Sequence, residues 1–227
     1  MGAPGTAAPR IVALSLYAAF VCGAGLWRHA PYPVLAFALH STGWAAVRQW
    51  FMLQDFAAVE AETAGGRERL LVFITFLGMV FLPVLAIVTP LPDHLAYPPF
   101  PGQAALGLAI TGIGLWLFWR AHAELGTNWS PRLETRGDHR LMTHGIYARM
   151  RHPMYAAILV LTLAQVFLVN NLVAGPAGLA AFCILYLWRI DSEEAMMQAR
   201  FGADYTAYCA RTPQLIPRLG RWHQKGA

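Results

Sequence analysis

Residues Met150–Ile158 read MRHPMYAAI, so an arginine, a histidine, a proline and a tyrosine stand together just before a long apolar run. Pro153 suits the first turn of a helix, where its missing N–H costs nothing. The start of that helix would present free N–H groups and the positive end of its dipole beside Arg151 and His152. Such a corner suits an anionic group, a carboxylate or a phosphate. About 40 residues on, the chain reads LWRIDSEE, with Arg189, Glu193 and Glu194. Arg189 and Glu193 are four apart, which puts them on one face of a helix.

These residues need elements to hold them at one place, and the composition says what kind. Of 227 residues, 57% are hydrophobic and 13% are charged, against about 25% charged in an ordinary soluble domain. Apolar runs cover Ile11–Trp27, Val34–Val59, Leu70–Thr89 and Gln103–Trp119, each near the roughly 20 residues a helix needs to span a bilayer. A fifth run, Met154–Trp188, is interrupted by VNNLVAGPAG. Asn170, Asn171, Gly175 and Pro176 in mid-run predict a helical hairpin. Its arms are short for a full span, so the hairpin is expected to be tilted or partly sunken, with its tip shielded by protein. Pro83 is expected to kink the third helix, with a neighbouring helix satisfying the freed carbonyl.

The expected fold is all-α: a polytopic membrane helix bundle of four N-terminal transmembrane helices plus a C-terminal transmembrane hairpin. Residues 1–119 would form the N-terminal helices, and residues 120–227 a core of loop, hairpin and helical tail. Six arginines lie in Arg120–Arg151 and five more, with Lys225, follow Trp188, while Pro90–Pro101 has none. The positive-inside rule makes the 120–151 loop, the tail and, by counting back, the N-terminus cytoplasmic. Arg67 and Arg69 agree with that orientation and Arg28 opposes it. The second helix carries His40, Arg48, Gln49, Gln54 and Asp55, which should face the bundle interior or the interface. Arg48 is a candidate for lining a substrate cavity.

The same features exclude other classes. The arginines are not clustered on a soluble module, which speaks against nucleic acid. GLAITGIG, Gly107–Gly114, lies inside an apolar helix with no strand before it, so its glycines read as close helix packing and not as a dinucleotide loop. Three cysteines make no disulfide framework, and the histidines match no common zinc spacing.

HRLMTHGIYARMRHPMY, a hairpin, WRIDSEE and then FGADYTAYCARTPQLIP together resemble the isoprenylcysteine carboxyl methyltransferase family and the related membrane phospholipid methyltransferases. The resemblance covers about Asn128–Pro217. It implies an integral membrane enzyme that uses S-adenosylmethionine, with S-adenosylhomocysteine as product, bound in a cytoplasmic pocket. It also implies a lipophilic small-molecule or lipid-modified substrate that enters from the bilayer.

Carried over by position, the cofactor residues would be His139, Arg140, Leu141, Met142, Tyr147, His152, Pro153, Met154, Tyr155 and Glu193, joined by Arg151 and Glu194. Arg151 and His152 would hold the cofactor's carboxylate, a glutamate its ammonium or ribose, and Tyr147 and Tyr155 would offer π faces to the adenine or sulfonium. Arg189 would hold an acceptor carboxylate by a bidentate contact, with Glu193 the other catalytic candidate. An amine acceptor would need a base, Glu193 or Glu194, and a small thiol is a further acceptor class. Outside this family, an NADPH-dependent membrane reductase or a non-enzymatic scaffold would share the helical body.

Overall fold

The computed structural model describes residues 7–30, 33–55, 66–125 and 141–217, with side chains from residue 11 and, in the second segment, up to residue 51. His139 and Arg140 lie outside the described residues. Among the described residues seven α-helices follow one another: α1 Ala7–Trp27, α2 Val34–Asp55, α3 Gly66–Phe76, α4 Leu82–Val88, α5 Gln103–Leu125, α6 Pro153–Leu168 and α7 Ala177–Arg211. No strand occurs among the described residues, only one isolated bridge between Ala96 and Asn171. The all-helical expectation therefore holds. Gly66–Val88 and Gln103–Leu125 are long and apolar enough to cross a membrane, and Ile11–Trp27 and Pro153–Leu168 are shorter apolar helices.

α3 and α4 form one continuous rod joined by a π turn, Leu77–Phe81. Proline is the reason. In the π register Leu82 N–H donates to Leu77 O, and the next bond would run from residue 83 to Gly78 O. Pro83 has no N–H to give, so Gly78 O is left over. Gln165 of α6, fully buried, supplies the missing donor: its Nε2 lies 3.0 Å from Gly78 O, 3.0 Å from Ala174 O and 3.3 Å from Gly175 O. One amide thus serves both the broken helix and the hairpin's turn. A π bulge with a glutamine donor takes the place of the simple proline kink expected from the sequence.

α5 packs along α6 over two small residues. A Cβ on Gly107 would stand 2.5 Å from Leu168, and one on Gly114 would stand 2.8 Å from Leu161, so neither position accepts alanine without parting the helices. The hairpin between α6 and α7 turns inside protein. Asn171 Oδ1 accepts the N–H groups of Val173 and Ala174, and its Nδ2 donates to Pro92 O at 2.8 Å. Leu172 N–H donates to Leu95 O and Tyr97 N–H to Asn170 O. Asn170 and Asn171 are fully buried; the segment between α4 and α5 shields the tip, as expected. Beside it, Arg28 pairs with Asp93 at 2.7 Å and donates to Ile87 O at 2.8 Å. This arginine, the one that ran against the charge asymmetry, is neutralised locally.

Replacing Gln165 by leucine keeps the volume and strands three buried carbonyls. Each unsatisfied group costs about 1–3 kcal/mol, so detergent-solubilised Gln165→Leu protein should unfold at least about 4 °C below the parent chain. An unchanged midpoint in a thermal melt would show that these carbonyls have other donors.

Candidate functional site

The loop that enters α6 is pinned from α5. Glu124 accepts the Ile146 N–H and pairs with Arg120 one turn earlier. Gly145–Ala148 then makes a 3-10 turn. Tyr147 is buried, its hydroxyl donating to Ala121 O at 3.2 Å, while its own carbonyl accepts the Tyr208 hydroxyl at 2.6 Å. Leu141 and Met142 are partly buried, and Met142 packs on the apolar cluster of Leu117, Phe118, Ile146 and Ala157.

His152 caps α6 and Pro153 opens it. From the other arm, α7 runs past its apolar part and brings Glu193 and Glu194 to the same corner. Glu194 Oε1 is shared by Arg151, with Nη2 at 2.7 Å and Nε at 3.1 Å, and by His152 Nε2 at 3.0 Å. Glu193 accepts the Tyr155 hydroxyl at 2.7 Å and faces His152 Nδ1 at 3.6 Å. The Tyr155 ring meets Tyr186 edge-on at 5.4 Å, and Phe182 stacks on Tyr186 at 6.1 Å. Met154 is half-buried beside them in sequence.

The chain's tail closes over this corner. Gly202, with φ +52°, breaks α7 into two helices, because a positive φ is easy only for glycine. The second piece folds back and buries Tyr205 and Tyr208, whose rings lie 6.1 Å apart. Beyond it, Pro213 O accepts the Arg151 N–H at 2.8 Å and Gln214 O accepts the His152 N–H at 3.0 Å. Arg151 Nη1 donates to Thr212 O at 2.6 Å, and Tyr186 donates to the Gln214 side chain at 3.1 Å.

The backbone N–H groups of Arg151 and His152, just before α6, are taken by the tail's carbonyls. One expectation from the sequence changes here. Arg189 pairs with Glu68 of α3 at 2.8 Å and not with Glu193, although it shares their helix. Long side chains on a shared face can still turn to a neighbouring helix, and α3 offers a carboxylate. Arg48 stands exposed on α2 near His122 of α5; no hydrogen bond or ion pair among the described residues joins it to Arg189 or the glutamates. Glu68, Glu124, Tyr186 and the Thr212–Gln214 strap went unread in the sequence. Only Glu124 had a local signal, its four-residue spacing from Arg120.

The electrostatics follow from this packing. Hydrogen bonding to His152 dominates at Glu194, burial opposes it and Arg151 adds to it, so the carboxyl is pulled down to about 2. Burial would raise Glu193, but His152, Tyr155 and the nearby Arg189 charge outweigh it and lower it. Burial would likewise lower His152, but the two glutamates together raise it. The corner thus holds two carboxylates biased toward ionisation beside an imidazole biased toward its protonated form, next to a wall of aromatic rings.

Residues 105–199 match the model described as the isoprenylcysteine carboxyl methyltransferase (ICMT) family. Among solved structures, the chain is similar to that of the eukaryotic intramembrane Ras methyltransferase ICMT (isoprenylcysteine carboxyl methyltransferase) without a monobody. The TM-score is 0.58 and the identity 21%, over 92% of this chain and 76% of that one. No curated protein matches. The matched segment is similar to a methyltransferase family, and the fold is similar to that of a membrane methyltransferase. That segment covers less than half of the chain. The match opens earlier than the motif resemblance, inside α5, and stops before Gly202, so the strap lies outside it.

The shifts fix how the corner responds to pH. The raised His152 contributes stability below the ordinary imidazole value of 6.5 and loses it as pH rises through its raised value. The depressed Glu194 contributes above the ordinary 4.5 and loses it as pH falls toward about 2. Thermal midpoints should therefore be highest between these limbs. In Glu194→Gln the acid limb should flatten, and in His152→Gln the alkaline one; limbs that persist in both variants would place the titration elsewhere.

Proposed function

We propose that this chain transfers a methyl group from S-adenosylmethionine to the carboxylate of a lipophilic acceptor that reaches the site from the bilayer. The observation that carries the reading is the pair Glu193 and Glu194, kept ionised beside Tyr155, Tyr186 and Phe182 within the segment matched by the family. Carboxylates with aromatic faces fit the cationic parts of this cofactor, its sulfonium and ammonium. The cofactor supplies an electrophilic methyl group, whose bond to sulfur breaks with the electron pair left on sulfur as the acceptor oxygen bonds to carbon.

The rest falls to this chain. Glu193, oriented by Tyr155, binds a positive group. Glu194 and Arg151 hold the strap that closes the corner against water. Leu141, Met142, Tyr147, Pro153 and Met154 shape the walls, and Arg189 receives the acceptor's acidic end. The arginine asymmetry supports a cytoplasmic corner, with the loop, tail and N-terminus on that side. An anionic acceptor needs no base. This agrees with Glu193 and Glu194, whose lowered pKa values make them poor proton acceptors near neutral pH. One observation favours an amine acceptor instead: Arg189 is already paired with Glu68, so its charge is partly cancelled.

Binding and turnover separate these roles. In detergent, S-adenosylhomocysteine should raise the melting temperature of the parent chain. Glu193→Gln should weaken that binding at least tenfold, about 1.4 kcal/mol. Arg189→Lys should keep binding within about threefold while methyl transfer to a prenylcysteine with a free carboxylate falls at least tenfold, because lysine lacks the planar fork. No melting shift with the cofactor product in the parent chain would sink the reading. Turnover of an amine-headgroup lipid alone would move it to the phospholipid-type reaction.

A further inference from the structure

The Arg189–Glu68 pair is asymmetric. Arg189 is held on α7 with its side chain 16% exposed, while Glu68 in the first turn of α3 is 34% exposed. The arginine is the fixed partner and the glutamate the adjustable one. Glu68 engages only Nη1, at 2.8 Å. Nε of Arg189 is buried and has no partner among the described residues. A guanidinium satisfies a carboxylate best through two parallel N–H bonds, and here one donor of that fork is idle. A buried donor left idle costs free energy, so the present contact is not the one this guanidinium binds most tightly.

Glu68 also lies at the polar end of an open cleft of about 490 Å³ that runs along α3 over Val72, Phe73 and Phe76. Arg69 lines the same end, and Arg67 sits 5.3 Å over the Trp188 ring. Arg67, Arg69 and Arg189 stand around Glu68 at that end, Glu193 lies one helical turn from Arg189, and the rest of the lining is apolar. The shape suits an amphiphile with an anionic head and a long apolar body.

We propose that Glu68 is a specificity-determining residue: its carboxylate occupies the seat on Arg189 that the acceptor's carboxylate takes, so the two anions compete for one guanidinium. The proposal rests on the carboxylate-acceptor reading of Arg189. In the resting chain Glu68 cancels Arg189 and discourages weakly held anions, including lipid phosphates. An acceptor displaces it by adding two contacts that Glu68 lacks: a second N–H bond, at Nε, and an apolar body along α3. The amine-favouring observation is thereby accounted for, since the pairing is the unliganded arrangement of a carboxylate seat.

Direct binding tests this without relying on turnover. N-acetyl-S-farnesylcysteine and its carboxamide are titrated into the full chain in nanodiscs of zwitterionic lipid. Glu68→Gln should tighten the free-carboxylate compound at least threefold and leave the carboxamide within experimental error. In discs containing phosphatidylglycerol, the same variant should lose part of that gain, because lipid phosphate now competes for the open seat. Equal changes for both compounds, or weaker carboxylate binding, would overturn the proposal and make Glu68 a strut for Arg189. Should Glu68→Gln fail to fold, Glu68→Asp keeps the charge but shortens the reach, and the same selective tightening, smaller in size, is expected. A parent chain that methylates only amine lipids would end the carboxylate reading, while the comparison of the two farnesyl compounds would still decide what Glu68 does.

Discussion

Glu194 holds the working end of this molecule together. One of its oxygens accepts from both Arg151 and His152, so a single carboxylate joins the start of α6 to the far part of α7. Arg151 carries the connection onward to the tail, through Thr212 O and through its own backbone N–H to Pro213 O. Taking two or three charges partly out of water is costly unless each is paired and hydrogen-bonded. Here each is, which is why the cluster persists and why losing one member would leave the others uncompensated. The aromatic corner of Tyr155, Phe182 and Tyr186 has its shape because the two arms of the hairpin are clamped at that end.

The opposite end obeys the same demand in neutral form. Where water is scarce every backbone group must find a partner in the protein. Pro83 removes one, and Gln165 returns it while also serving two carbonyls of the hairpin turn. Asn171 does the equivalent service for the turn's N–H groups. The hairpin is therefore fastened twice, by amides at its tip and by charges at its open end. Between the two, α5 and α6 approach closely over Gly107 and Gly114. α3, with Val72, Phe73 and Phe76 exposed, keeps the cleft along it open at the surface of the bundle.

The charges divide the labour at the site. Glu193 and Glu194 are stabilised as anions and so are suited to bind positive charge and poorly suited to remove protons. Arg189, one turn before Glu193 on α7, is turned toward α3 by Glu68. Two carboxylates with an arginine one helical turn away on α7 form the arrangement that the proposed cationic donor and anionic acceptor would require.

Much of this was legible in the chain itself, because it depends on local rules. Apolar run lengths marked the helices, Asn170–Pro176 marked the hairpin, and Pro153 marked the start of α6. Each is a matter of hydropathy or backbone conformation within a few residues. The gathering of His152, Tyr155, Glu193 and Glu194 was also foreseeable, since a hairpin returns its two open ends to one level. Partner choice was not. Arg189 could reach Glu193 on its own helix, yet it turns to Glu68, more than a hundred residues earlier. Nor did the sequence show that the tail's carbonyls reach the N–H groups of Arg151 and His152. Spacing along a helix says which side chains can meet, but the cheapest neutralisation of a half-buried charge depends on which other helix packs alongside, and that is set only when the whole bundle assembles.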